Sequence, residues 1–117
     1  MGFNVFLTED VVRFIDSVSI KAQAKIERSI QLLREFGHLL PMPHSKQLVG
    51  SKKLKELRVI LGKNIYRLFY FHYREKTYIV TSGYIKKSPK TNKKEIEKAL
   101  SIMNRILEQA DEKNKIN

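Results

Sequence analysis

The sequence predicts an α+β domain with the order β-α-α-β-β-β-α, in which helices pack on one face of a small antiparallel sheet. Three observations carry this. Apolar residues recur every three or four positions between residues 9 and 36, and again after Asn92. Between those stretches lie three runs rich in β-branched and aromatic residues, separated by short polar breaks. The chain has 117 residues, 42% of them hydrophobic, and no Cys. That length suits one domain, which buries about two-thirds of its unfolded surface without disulfide staples. We place the domain at residues 1–110, with a frayed tail over 111–117.

The first strand is short, with Phe3, Val5 and Leu7 on one parity. Thr8 then stands at an N-cap position, and Glu9 and Asp10 fall in the first turn, where a helix dipole favours anions. Val11, Phe14, Ile15 and Val18 continue at helical spacing, so a helix is expected over 9–18. Ser19 can cap a second helix whose apolar stripe is Ala22, Ile26, Ile30, Leu33 and Phe36, with Gly37 as its C-cap. Pro41, Pro43 and Gly50 make residues 38–50 an irregular connection. Strands follow over 54–61, 64–73 and 77–85. Asn92 precedes Glu95 by three, a capping-box spacing, and opens a last helix running to about Gln109.

If Gly62-Lys63 is a two-residue turn, Leu61 faces Asn64 and Arg58 faces Arg67. Side chains alternate along a strand, so Leu57, Val59 and Leu61 share a face with Tyr66, Leu68 and Tyr70, the side expected against the helices. Glu56, Arg58 and Ile60 share the other face with Ile65, Arg67 and Phe69. A tight turn at Glu75-Lys76 would set Tyr84 opposite Arg67 and Ser82 opposite Phe69, with Lys86 on the same face. Arg58, Arg67, Tyr84 and Lys86 should then converge on one open surface. Two opposed like charges cost up to about 1 kcal/mol, which is tolerable where they hold an anion. A solvated face screened by Glu56 and water is the plainer alternative.

Charge placement supports the anion reading. The chain holds 23 Lys and Arg against 12 Asp and Glu, a formal net charge of +11. Residues 52–94 contain 13 basic and two acidic residues (13 − 2 = +11), so the remainder is neutral overall. One cationic region on a neutral body favours a polyanion, because each neutralised phosphate releases counterions. A Lys-rich solubilising surface is the bland counterpart.

Several enzyme classes are disfavoured. Without Cys, and with His38 and His44 in a connection and His72 on the core parity, a metal site has no recognisable ligand spacing. Neither a P-loop nor G-x-S-x-G is present. No run of about 18 apolar residues occurs and no leader-like start is visible, so a cytoplasmic protein outside the membrane is expected. RNA, by contrast, supplies its own nucleophile. Cleavage needs the 2′-OH deprotonated, the phosphorane charge stabilised and the 5′-oxygen protonated. Arginine suits the middle task, Tyr or Lys could move protons if neighbouring cations lower their pKa, and Phe69, Phe71 and Tyr84 could stack bases.

Four ordered segments carry a family resemblance: Leu54-Lys55-Glu56-Leu57-Arg58-Val59; Gly62-Lys63-Asn64-Ile65-Tyr66-Arg67-Leu68-Phe69-Tyr70; Gly83-Tyr84-Ile85-Lys86-Lys87; and Lys90-Thr91-Asn92-Lys93-Lys94-Glu95-Ile96-Glu97-Lys98-Ala99. Together they resemble the phage-derived, HigB-like branch of the RelE/ParE toxin superfamily, over about residues 46–100. Tyr84 replaces the usual Phe, and Asn92 the usual Pro.

The resemblance implies a type II toxin that enters the ribosomal A site and cleaves translated mRNA without metal or cofactor. Carried over by motif, Arg58, Arg67, Lys86, Lys87 and Tyr84 are the expected catalytic set. Lys46, Lys52, Lys53, Lys55, Lys63, Phe69, Lys90, Lys93 and Lys94 are the expected contacts to RNA or ribosome. It further implies an acidic, HigA-like helix-turn-helix antitoxin, with operator DNA reached only through that partner. A ParE-like gyrase poison and a non-catalytic RNA-binding module are the competing expectations.

Overall fold

The computed structural model describes residues 2–40, 45–47, 53–86 and 92–116, with side chains described for all but 45–47 and 112–116. β1 (Asn4–Leu7) leads into α1 (Glu9–Ser17) through Thr8. The Thr8 hydroxyl accepts the Val11 N–H at 3.2 Å and donates to the Thr81 carbonyl at 2.6 Å, so one side chain caps the helix and ties it to the sheet. Ser19 caps α2 (Ile20–Phe36) by accepting from the Ala22 N–H. Val11 and Ile15 of α1 and Ala22, Ile26, Ile30 and Leu33 of α2 form the buried stripe the periodicity foretells. Gly37 ends α2 at φ 52°, and a Cβ there would lie 2.6 Å from the Phe3 ring, so conformation and space both require glycine. A 3₁₀ turn, Gly37–Leu39, follows.

β3 (Leu54–Leu61), β4 (Asn64–Arg74) and β5 (Thr77–Lys86) form the expected meander. Gly62, at φ 61°, makes the two-residue turn that sets Leu61 opposite Asn64 and Arg58 opposite Arg67. The second turn, at Glu75-Lys76, puts Tyr84 opposite Arg67 and Ser82 opposite Phe69. The β4–β5 register shifts twice, between Phe69 and Tyr70 and between His72 and Arg74. Thr81 is the extra residue on β5 and Tyr73 the extra one on β4. The shifts are of opposite sense and cancel, which is why simple counting from the turn finds the right partners.

The α+β class and the element order hold, and three features differ from expectation. β1 pairs parallel to β5, and a three-residue β2 (Ser45–Gln47) pairs antiparallel to β3, giving a mixed sheet of order β1-β5-β4-β3-β2. β2 falls in the stretch read as irregular, because three residues of SKQ carry no periodic signal. The last helix, α3 (Lys93–Ile116), is longer than expected and continues through most of the segment read as a frayed tail. Asn92 caps it, its Oδ1 accepting the Lys94 N–H at 3.0 Å.

The third difference concerns the layers. α1 and α2 cover the face carrying Leu57, Val59, Tyr66, Leu68 and Tyr70. α3 lies on the opposite face, where Ile96, Ala99, Leu100 and Met103 pack on Leu54, Phe69, Phe71, Ile79 and Tyr84. Helices therefore cover both faces, not one. The cause is the composition of the second face: leaving Leu54, Phe69 and Phe71 in water would forfeit about 1.5–3 kcal/mol each. Among the described residues no helix is long and apolar enough to cross a membrane.

Gly83 and Gly62 test what the fold asks of its glycines. A Cβ at Gly83 would stand 2.5 Å from the Phe14 ring of α1, whereas one at Gly62 meets open space and only the positive φ resists it. Gly83→Ala should lower stability by about 1–3 kcal/mol through overpacking. Gly62→Ala should cost about 1 kcal/mol, from the left-handed backbone alone. Urea midpoints at unchanged m-value would show both.

Candidate functional site

The expected convergence exists, but beneath a lid. Arg58 and Arg67 face each other directly across β3 and β4, Tyr84 stands opposite Arg67 on β5, and Lys86 stands opposite Ile65. All four share the α3 face of the sheet. Only Arg58 is exposed; Arg67, Tyr84 and Lys86 are 6%, 9% and 8% accessible. The surface read as open is partly closed, because α3 packs where solvent was expected.

Burial changes the chemistry of Arg67. A guanidinium under a helix needs a counter-charge, and Glu56, itself 1% accessible, supplies it through an ion pair to Nη1. Glu56 lies diagonally across from Arg67, since Phe69 is its direct partner. The pair is not saturated: Glu56 Oε2 and Arg67 Nε find no hydrogen-bond partner among the described residues. The site thus holds a buried acceptor and a buried donor, both with capacity to spare.

Tyr84 is held in its neutral form. Burial pushes the phenol above its usual value of 10.0, and the Glu56 carboxylate pushes it further. The Asn92 amide and the Arg67 charge oppose the rise without overcoming it, and Glu95 adds to it. The amide's approach falls short of hydrogen-bonding geometry, leaving the phenol oxygen without a completed partner among the described residues. The condition for Tyr84 to act as a base, a pKa lowered by neighbouring cations, is therefore not met, since desolvation dominates and Glu56 outweighs Arg67. Tyr84 instead stacks on Phe69, ring centroids 5.7 Å apart at 16°.

The remaining expected contacts divide. Lys53, Lys63, Lys93 and Lys94 are exposed. Lys55, opposite Tyr70, falls on the α1/α2 face and does not join Arg58. Phe69 and Phe71, expected to stack bases, are fully buried under α3 and present no ring to a ligand. Lys46 is placed only by its backbone, in β2 opposite Glu56. Lys52, Lys87 and Lys90 lie outside the described residues. Glu56 is outside the expected catalytic set, where the sequence suggests only a surface screen. Its parity with Arg58 is visible in the sequence; its burial is not, because it depends on how the layers pack. Among the described residues no group of three His, Asp or Glu could hold a metal ion.

The profile of the phage-derived Gp49-like protein family matches residues 13–104. The chain belongs to that family. No curated protein sequence matches it. Among solved structures, the archaeal RelE–RelB complex from Pyrococcus horikoshii OT3 is similar at TM-score 0.57 and 18% identity, over 77% of this chain and all of that one. A mutant of E. coli toxin RelE in the free state is similar at TM-score 0.59 and 18% identity, over 92% of this chain and all of that one. The Gp49-like chain thus has the fold of RelE toxins.

Two measurements probe this Gp49-like site. Removing one partner of a buried ion pair typically costs about 3–5 kcal/mol, so Glu56→Ala and Arg67→Ala should each be strongly destabilised. The double variant should lose clearly less than the sum, which a denaturant double-mutant cycle would show. For Tyr84, a folded-state pKa above 10.0 means that its stabilising contribution is intact below pH about 10 and is lost as pH rises through the higher folded value. Tyr84→Phe should therefore flatten the alkaline fall of stability, measured by urea unfolding at pH about 8 and about 11.

Proposed function

We propose that the chain is the toxin of a type II toxin–antitoxin pair and an endoribonuclease that cuts mRNA in the ribosomal A site. The observation that carries this reading is the directly opposed pair Arg58 and Arg67, in register with Tyr84 and Lys86 on one sheet face. Membership of a phage-derived Gp49-like family and the RelE fold support it.

The chemistry uses RNA's own 2′-OH. A base removes that proton, O2′ attacks phosphorus, the P–O5′ bond breaks, and O5′ leaves with a proton, giving a 2′,3′-cyclic phosphate and a 5′-OH end. Arg58, exposed and always charged, is the group that a phosphate meets first. Arg67 stabilises the phosphorane charge through the donors Glu56 leaves unused. Tyr84, neutral across the physiological range, is a proton donor and not a base. Glu56, whose Oε2 has no hydrogen-bond partner among the described residues, is the better acceptor for the 2′-OH proton. Lys86 adds a cation to that face, Lys87 joins the set by its motif position alone, and Lys63, Lys93 and Lys94 hold flanking RNA or ribosomal phosphates. The reaction requires no metal.

Substrate access to Arg67 requires α3 to yield at its N-terminal end, where Ile96 and Ala99 lie over Phe69 and Tyr84. An acidic antitoxin complements a surface of net charge +11, and the P. horikoshii RelE fold relative is complexed with RelB. HigA-like helix-turn-helix chemistry is the partner we infer, with operator DNA bound through it.

Induction of the chain with 5′-end mapping of cellular mRNA tests the proposal. Translation-dependent cuts should appear with the wild type and fall about 10²–10³-fold with Arg58→Ala, an exposed position where the fold is not at risk. Loss of DNA supercoiling without mRNA cuts would overturn it in favour of a gyrase poison. Salt-sensitive RNA binding without cuts would leave a binding module.

A further inference from the structure

A second cationic feature lies on the other side of the sheet. At the end of the strands by the Glu75-Lys76 turn, on the α1/α2 face, a cavity of about 680 Å³ opens between the start of β1, the 3₁₀ turn and β3–β5. This volume is within the range of small-molecule sites, about 300–1,000 Å³. Along β4, His72 of this cavity is five residues from Arg67, roughly 17 Å, and on the opposite face. The cavity is therefore no extension of the arginine site.

Its lining combines two chemistries. Lys53, Lys55 and Lys76 contribute three positive charges against the single carboxylate of Glu75. Its aromatic wall is built on Tyr78, 3% accessible, with Phe3 at 5.7 Å and His72 at 5.3 Å between ring centroids, both edge-on; His38 meets Phe3 edge-on at 5.9 Å. The rings brace one another, and the backbone amide of His38 lies near the Tyr78 phenol. His72 Nε2 lies 2.6 Å from the Glu75 carbonyl, so the neutral ring donates there and keeps Nδ1 as an acceptor. Three ammonium groups around edge-on rings, beside an imidazole acceptor, complement a ligand with a phosphate at one end and a flat amino-bearing ring at the other.

We propose that this cavity binds a nucleotide unit, its base against the Phe3–His72–Tyr78 wall and its phosphate between Lys55 and Lys76. The ligand is either a free nucleoside monophosphate or one residue of a single-stranded RNA. The site stands whether or not the opposite face cleaves RNA.

Isotope-labelled full-length protein titrated with AMP, a short oligo(A), inorganic phosphate and an oligoglutamate peptide tests this by amide chemical-shift mapping. We expect AMP or oligo(A) to shift His72, Lys76 and Tyr78. Affinity should fall about tenfold or more in Lys55→Gln/Lys76→Gln, substitutions away from the core stripe. AMP binding as tightly as oligo(A) would identify a free nucleotide as the ligand, and binding by oligo(A) alone would identify an RNA strand; both support the site. Shifts confined to Arg58, Tyr84 and their neighbours would overturn it. So would phosphate matching AMP and oligo(A), or the acidic peptide binding where neither of them does.

Discussion

The buried ion pair between Glu56 and Arg67 is the constraint around which the α3 face is arranged. Two charges removed from water recover their desolvation cost only with close pairing and further hydrogen bonds, and among the described residues neither partner is saturated. Such a pair is a poor device for stability compared with apolar packing of similar volume. Its position, diagonal across β3 and β4 and beside the opposed Arg58, suits the function proposed above, in which a carboxylate holds the guanidinium in place until a phosphate competes for it.

The same pair explains why Tyr84 is not activated. An arginine alone would stabilise a phenolate opposite it, but an arginine already balanced by a carboxylate contributes little net field, and desolvation then prevails. In the proposed reaction, protons therefore move through Glu56 and the neutral phenol, with the arginines supplying charge. Burial thus sets the electrostatics as well as the access: in water, Arg67 and Glu56 would be hydrated and their coupling weak.

α3 also divides the cationic region. Arg58, Lys63, Lys93 and Lys94 stay in solvent around the lid, while Lys55 turns to the opposite face and joins a cavity walled by aromatic rings. A net charge concentrated in one segment of sequence is therefore not one patch in space. Strand alternation sends neighbouring lysines to opposite sides of a sheet, a separation of layers that local charge density does not reveal.

Local chemistry determined a great deal here. Thr8, Ser19, Gly37 and Asn92 mark helix ends because their caps act within one turn, and the two tight turns set the β3–β4–β5 register because loop length dictates pairing. The alignment of Arg58, Arg67, Tyr84 and Lys86 follows from that counting alone, surviving two bulges only because they cancel. Long-range packing decided the rest. The apolar stripe of α3 shows that the helix must bury one side but not which face of the sheet receives it, and an edge strand as short as β2 leaves no pattern to read. Loss of Phe69 as a stacking surface and the raised phenol of Tyr84 follow from α3's choice of face, and the burial of Glu56 and Arg67 is likewise invisible locally, since desolvation is a property of the assembled layers and not of any residue's neighbours in the chain.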